Sequence, residues 1–201
     1  MADHTNRTLR PFRDYDEHDV INLFRLSGAA ENELPVHRGT LVTFADNDGW
    51  TADREDGINM LGGAGLNSIG GVVSQRYGVH ATVKVAQSTQ QPIGMTLYDV
   101  RETDENGELL IHNPRKAVEM ECVLSGQAVP IVTRGIFLYS GALLASNAPN
   151  AGADLFCGNL GEITSVAGTN KQVGFALGKK DGNGHVLISL NIVGHPVDVN
   201  A

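Results

Sequence analysis

Few side chains in this sequence have catalytic or metal-binding chemistry to offer, and they are scattered. Histidines stand at His4, His18, His37, His80, His112, His185 and His195, and the only cysteines are Cys122 and Cys157. A zincin-type metal site needs two histidines at i and i+4 on one helix, and structural zinc needs closely spaced Cys or His pairs. Neither spacing occurs. Leu124-Ser125-Gly126 lacks the glycine two residues before the serine that a nucleophile elbow requires. Asp46-Asn47-Asp48-Gly49 opens like a calcium-binding loop, but its glycine comes two places early. Trp50 and Ala52 then stand where oxygen ligands belong, although Glu55 lies beyond. A hairpin-type turn is the expectation there. Acid–base catalysis needs partners within hydrogen-bond reach, and nothing in the linear order nominates them. No catalytic residue, metal-ligand set or cofactor site is therefore assigned.

The glycine-rich run from Gly62 to Gly71 invites a phosphate-loop reading, which fails on chemistry. A Walker-type loop needs Gly-Lys-Ser/Thr opening a helix, but there is no lysine between residues 51 and 83, and strand-like Gly71-Val72-Val73 follows. Gly62 to Asn67 also echoes a calcium-binding nonapeptide, but one copy cannot build the stacked turns such repeats need. The run reads as a loop available for contacts. Asn6-Arg7-Thr8 is formally a glycosylation sequon, but the residues around it form no apolar h-region, and it is expected to be a coincidence.

The elements that would position any site are strands. The chain of 201 residues is long enough to bury a core, with 41% hydrophobic residues, 24 glycines and only 5% aromatics. That balance predicts a turn-rich, strand-rich protein with few long helices. A formal charge of −8 argues against the basic face that nucleic acid requires, and Arg7, Arg10 and Arg13 are offset by Asp3, Asp14 and Asp16. No apolar run is long enough to span a membrane. Cys122 and Cys157 both lie in apolar strand-like contexts and read as reduced core residues. The sequence thus points to a protein kept in a reducing compartment or released by lysis.

Alternation places a strand over Thr40–Phe44, closed by the Asp46–Gly49 turn. Asp19 to Leu26 is ambiguous between helix and strand, and the stop at Gly28 favours strand. Thr96 to Glu102 is predicted as a strand leading into Asp104-Glu105-Asn106-Gly107, with Leu109 to His112 returning. The same device recurs at Asp181-Gly182-Asn183-Gly184, between Val173–Leu177 and His185–Val193. Asn-Gly favours a type I′ hairpin turn. Val118–Leu124 and Ala128–Val132 are predicted as strands joined at Ser125-Gly126.

Two phrases occur twice. Val36-His37-Arg38-Gly39-Thr40-Leu41-Val42 is matched by Val132-Thr133-Arg134-Gly135-Ile136-Phe137-Leu138. Gln91-Pro92-Ile93-Gly94-Met95-Thr96-Leu97 is matched by Lys171-Gln172-Val173-Gly174-Phe175-Ala176-Leu177. The pattern predicts a mainly β fold: an antiparallel β-barrel or sandwich built from two related halves, with an extended N-terminal arm. Residues 1–34 form the arm and 35–201 the β domain, with halves of about 35–124 and 125–201. The two Arg-Gly corners and the two glycines, Gly94 and Gly174, are expected to superpose.

The order of these phrases carries a resemblance. Asp16-Glu17-His18-Asp19-Val20-Ile21-Asn22-Leu23-Phe24 precedes Arg38-Gly39-Thr40-Leu41-Val42. Ile93-Gly94-Met95-Thr96-Leu97-Tyr98-Asp99-Val100, Ser125-Gly126-Gln127-Ala128-Val129-Pro130 and Arg134-Gly135 follow. From about residue 16 to 193 the chain resembles the head decoration, or capsid cement, proteins of tailed bacteriophages. That resemblance implies a β-rich homotrimer on the virion exterior, made in the host cytoplasm. It would bridge subunits of the major capsid protein and contact neither DNA nor membrane. The polar arm would be ordered by adding a strand to a neighbouring subunit's sheet. Contact residues are then expected on the arm (Arg10, Phe12, Arg13, Val20, Ile21, Phe24) and at the Trp50 corner and glycine-rich loop (Trp50, Leu66, Ile69). The alternative is a small-molecule- or glycan-binding β-barrel or jelly roll, such as a host-surface adhesin. An enzyme on a cupin-like scaffold is a third class.

Overall fold

The computed structural model describes residues 8–11, 19–26, 36–45 and 81–192. Along the chain run β1 (Thr8–Pro11), β2 (Val20–Ile21), β3 (Arg25–Leu26), β4 (Leu41–Phe44), β5 (Thr82–Val85), β6 (Gly94–Thr96) and β7 (Asp99–Arg101). Helix α1 (Pro114–Glu119) follows, then β8 (Cys122–Leu124), β9 (Ile131–Val132), β10 (Arg134–Ser140) and helix α2 (Ala142–Ser146). The chain continues through β11 (Asp154–Cys157), β12 (Ile163–Thr164), β13 (Gln172–Ala176) and β14 (Val186–Asn191). Among the described residues strand outweighs helix, 39% against 13%, so the chain adopts the mainly β class that alternation predicts.

One six-stranded sheet has the order β1-β10-β14-β13-β11-β12, with every pair antiparallel. A second has the order β2-β9-β6-β4-β5-β3 and is antiparallel except where β3 runs beside β5. β7 and β8 form a separate parallel pair. Period-two alternation explains the layering. Leu41, Met95 and Val132 of the second sheet meet Phe137, Tyr139, Ile188 and Leu190 of the first in one core. Their chain neighbours Val42 and Ile131 point the opposite way, into a second core with Val83, Val85, Phe24 and Leu26. The second sheet is therefore buried on both faces. A small third core of Leu110, Ala117 and Leu124 lies under α1.

Several expectations need correction. The described strands of the arm lie on this chain's own sheets: β1 pairs with β10, and β2 with β9. Phe24 and Leu26 are core residues, so a separate arm reaching residue 34 is too long. The returning strand at Leu109–His112 is instead a 3-10 turn over Leu110–His112 leading into α1. Pro114 stands at the start of α1, where its fixed φ and missing N–H cost nothing. This shortens the strand expected from Val118 to β8.

The repeat is real in its turns and broken at its corners. Asp104 Oδ1 accepts the N–H groups of Asn106 and Glu108, and Asp181 Oδ1 accepts those of Asn183 and His185, each at 2.8–2.9 Å. In both turns the glycine alone takes positive φ, 83° at Gly107 and 88° at Gly184. That geometry is a type I turn with a glycine bulge rather than type I′. The Arg-Gly corners differ. Gly39 makes a tight turn before β4 at φ 85°, whereas Gly135 lies inside β10 at φ 154°. β4 pairs directly with the Gly94 strand, but β14 separates β10 from the Gly174 strand. The two Arg-Gly phrases therefore do not superpose.

Candidate functional site

The most elaborate polar cluster is centred on Asp99, at the start of β7, and it begins with the Gly39 corner. Gly39 N–H donates to Thr96 O at 2.7 Å, and the Thr40 and Thr96 hydroxyls both donate to the His37 carbonyl, at 2.7 and 3.1 Å. That lock turns His37 and Arg38 toward Asp99. Asp99 Oδ1 accepts the Arg38 backbone N–H at 2.9 Å and faces Arg38 Nε at 3.5 Å. Its Oδ2 lies 3.2 Å from an Arg101 guanidinium nitrogen and 3.6 Å from His37 Nδ1. Burial alone would raise the Asp99 pKa. The His37 contact, the Arg38 N–H and the nearby positive charge outweigh it and hold the carboxyl well below its ordinary 3.8.

Arg38 carries this arrangement outward. Its Nη1 donates to Glu121 Oε2 at 3.2 Å across the mouth of a cleft of about 580 Å³. Leu97, Val118, Val123, Ala128 and Pro130 give the cleft apolar walls, while Asn22, Tyr98 and Gln127 add neutral polar groups. Glu121 follows the end of α1 and adopts φ 49°, a left-handed conformation that ordinarily falls to glycine. Its own N–H donates to Val118 O at 3.0 Å, closing the helix end. A carboxylate is thus held, at some backbone strain, where its side chain reaches Arg38.

Cys122 also lines the cleft and is half-buried; burial raises its pKa above 9.0, so its thiol stays protonated. Cys157 is buried and pushed up to about 11. Both are free thiols. Among the described residues no group of His, Cys, Asp or Glu has metal-site geometry, and no helix is long and apolar enough to cross a membrane.

The residues expected to make contacts are not brought together. Phe24 is buried, packed edge-on against Phe44 with ring centroids 5.6 Å apart, so it serves the core rather than a surface. Val20 packs against the first core and Ile21 against the second. Arg10 pairs through its backbone with Leu138. Phe12, Arg13, Trp50, Leu66 and Ile69 lie outside the described residues, as do the Asp46–Gly49 turn and the glycine-rich loop. The sequence reading picked out Arg38 through its Arg-Gly phrase but missed its partners. Asp99 is 61 positions away and Glu121 is 83, and no local pattern signals either pairing.

No protein-family model, curated protein or solved structure matches this chain. The cleft and the sheet faces therefore carry the functional argument.

Proposed function

We propose that this chain is a structural protein of a tailed-phage virion, one that binds the outer capsid surface and stabilises it by bridging major capsid protein subunits. The carrying observation is the outer face of the first sheet. In β10, Phe137 and Tyr139 point inward, while Ile136 and Leu138 point out and are only half-buried. Leu138 lies directly opposite Leu187 of β14. Beyond them Phe175 and Leu177 remain 41% and 39% exposed. The solvent face of an antiparallel sheet is ordinarily polar, and a run of exposed apolar groups marks a surface that meets another protein. The phrase order shared with head decoration proteins gives that partner its identity in this reading. A homotrimer near a local threefold position would multiply modest contacts through effective concentration and leave no open interface. No catalytic step is assigned.

Mixing the purified chain with assembled heads and imaging them tests the proposal. Bound copies on the shell support it, and bare heads contradict it. The cleft favours a second reading, a small-molecule- or glycan-binding module, because exposed Tyr98 stands beside Gln127 and Asn22. Saturable binding of a soluble glycan at the cleft, without head association, would favour that reading instead.

A further inference from the structure

Two features at the rim of the cleft bear on what it could bind. Glu121 occupies a glycine-type conformation without being glycine, and Val118 beside it is 76% exposed on the last turn of α1. An observed backbone outlier beside a cavity points toward function. The charges at the mouth then indicate the kind of ligand. Arg38 is held on one side by Asp99 and on the other by Glu121, and its side chain is 30% exposed. Glu121 is 66% exposed and meets Arg38 through Oε2. The more accessible charge at the mouth is therefore a carboxylate, on a chain whose formal charge is −8. Behind it the walls are aliphatic.

We propose that this cleft is a docking site for an extended segment of a partner polypeptide carrying a Lys or Arg flanked by small aliphatic residues. The methylene stem of the basic residue lies along Val118, Val123 and Pro130, as long cationic side chains commonly cover apolar surface. Its charged head reaches Glu121, which Arg38 holds in place. Charge-assisted hydrogen bonds of this kind fix orientation as well as adding affinity. The assignment of the partner to a capsid subunit rests on the functional reading above; the chemistry of the cleft does not.

The test is an NMR titration of the isotope-labelled full chain with a capped Ala-Val-Lys-Val-Ala peptide and its Ala-Val-Glu-Val-Ala counterpart. The lysine peptide should shift resonances of Val118, Glu121 and Val123 saturably, and the glutamate peptide should not. Glu121→Gln keeps the side-chain shape and should weaken lysine-peptide binding roughly tenfold, the scale of one lost charged hydrogen bond. Val118→Lys, at an exposed position, should abolish it while leaving thermal unfolding unchanged. Equal binding of both peptides, shifts remote from the cleft, no binding at all, or unchanged affinity in Glu121→Gln would each overturn the proposal. Head binding separates the two claims. Lysine-peptide binding by a chain that ignores heads supports the cleft and contradicts the capsid reading. Head binding by a chain that binds neither peptide does the reverse.

Discussion

Asp99 joins three parts of the chain: the Gly39 corner through His37 and Arg38, β7 through Arg101, and the end of α1 through Arg38 and Glu121. Removing its charge takes the carboxylate from Arg101 and leaves Arg38 with Glu121 alone, in a site only 12% exposed on the aspartate side. Asp99→Asn should therefore cost about 2–3 kcal/mol in chemical denaturation, toward the lower end for breaking a shielded ion pair. The pH dependence follows from the sign of the shift. A carboxyl whose pKa is lower in the folded chain contributes its full stability above the ordinary value of 3.8. That contribution declines as pH falls below about 4–5, because the unfolded chain takes up the proton first. Wild type should lose stability on acidification through this window, and Asp99→Asn should lose measurably less. Asp104, held by Lys116 and the Glu108 and Asn106 N–H groups, and Asp181, held by the His185 and Asn183 N–H groups, are also lowered and slope the same way. They account for part of what remains in the variant. A variant with the same acid slope as wild type would contradict this assignment.

At the scale of elements, the two apolar phrases share a purpose even though the Arg-Gly corners do not. A Cβ on Gly174 would run into the Ser189 carbonyl oxygen, and one on Gly94 would lie 2.7 Å from the Val132 carbonyl oxygen. Backbone cannot yield as a side-chain tip can, so Gly94→Ala and Gly174→Ala should each destabilise by about 2–4 kcal/mol. Gly182→Ala, with nothing within 4 Å, should stay within about 0.5 kcal/mol of wild type. Thermal unfolding of the three variants checks the contrast. β1 offers another test, because it covers the edge of β10 in register from Thr8 opposite Ser140 to Pro11 opposite Phe137. Deleting residues 1–11 should cost about 2–4 kcal/mol from the lost backbone pairing and expose an edge prone to self-association. A shortened chain that unfolds like the full one and stays equally dispersed in sedimentation would contradict that. These cases also show what the sequence made legible. Period-two alternation marked β4, β13 and β14, and the Asp-x-Asn-Gly turns announced themselves, because both signals are local. The helix at Pro114–Glu119 was hidden because its short turn buries Ala117 alone, too little to show a helical period. The Asp99 cluster was hidden because its bonds join residues far apart in sequence. The conformation of Glu121 was hidden because its residue type argues against it.

For the whole molecule, two sheets share one core, and the second sheet closes another on its far side. Among the described residues, the outer face of the first sheet and the cleft beside β7 and β8 are surfaces with something to offer a partner. The sheet face carries half-buried Ile136, Leu138 and Leu187 beside exposed Phe175, and the cleft carries the Arg38–Glu121 pair, with Glu121 its more exposed charge. Trimerisation would present three of each. Lysine or glutamate placed at Leu138 and Leu187, which are half-buried on the outer face, should weaken shell association more than it lowers the unfolding temperature. The central claim, the proposed capsid role, is tested most directly by imaging assembled tailed-phage heads with the purified protein added at saturating concentration. The account predicts added density on the outer surface, three copies around each local threefold position, with the Ile136, Leu138 and Phe175 face against the shell. Heads that stay bare, or carry single copies placed without regard to those axes, would contradict it.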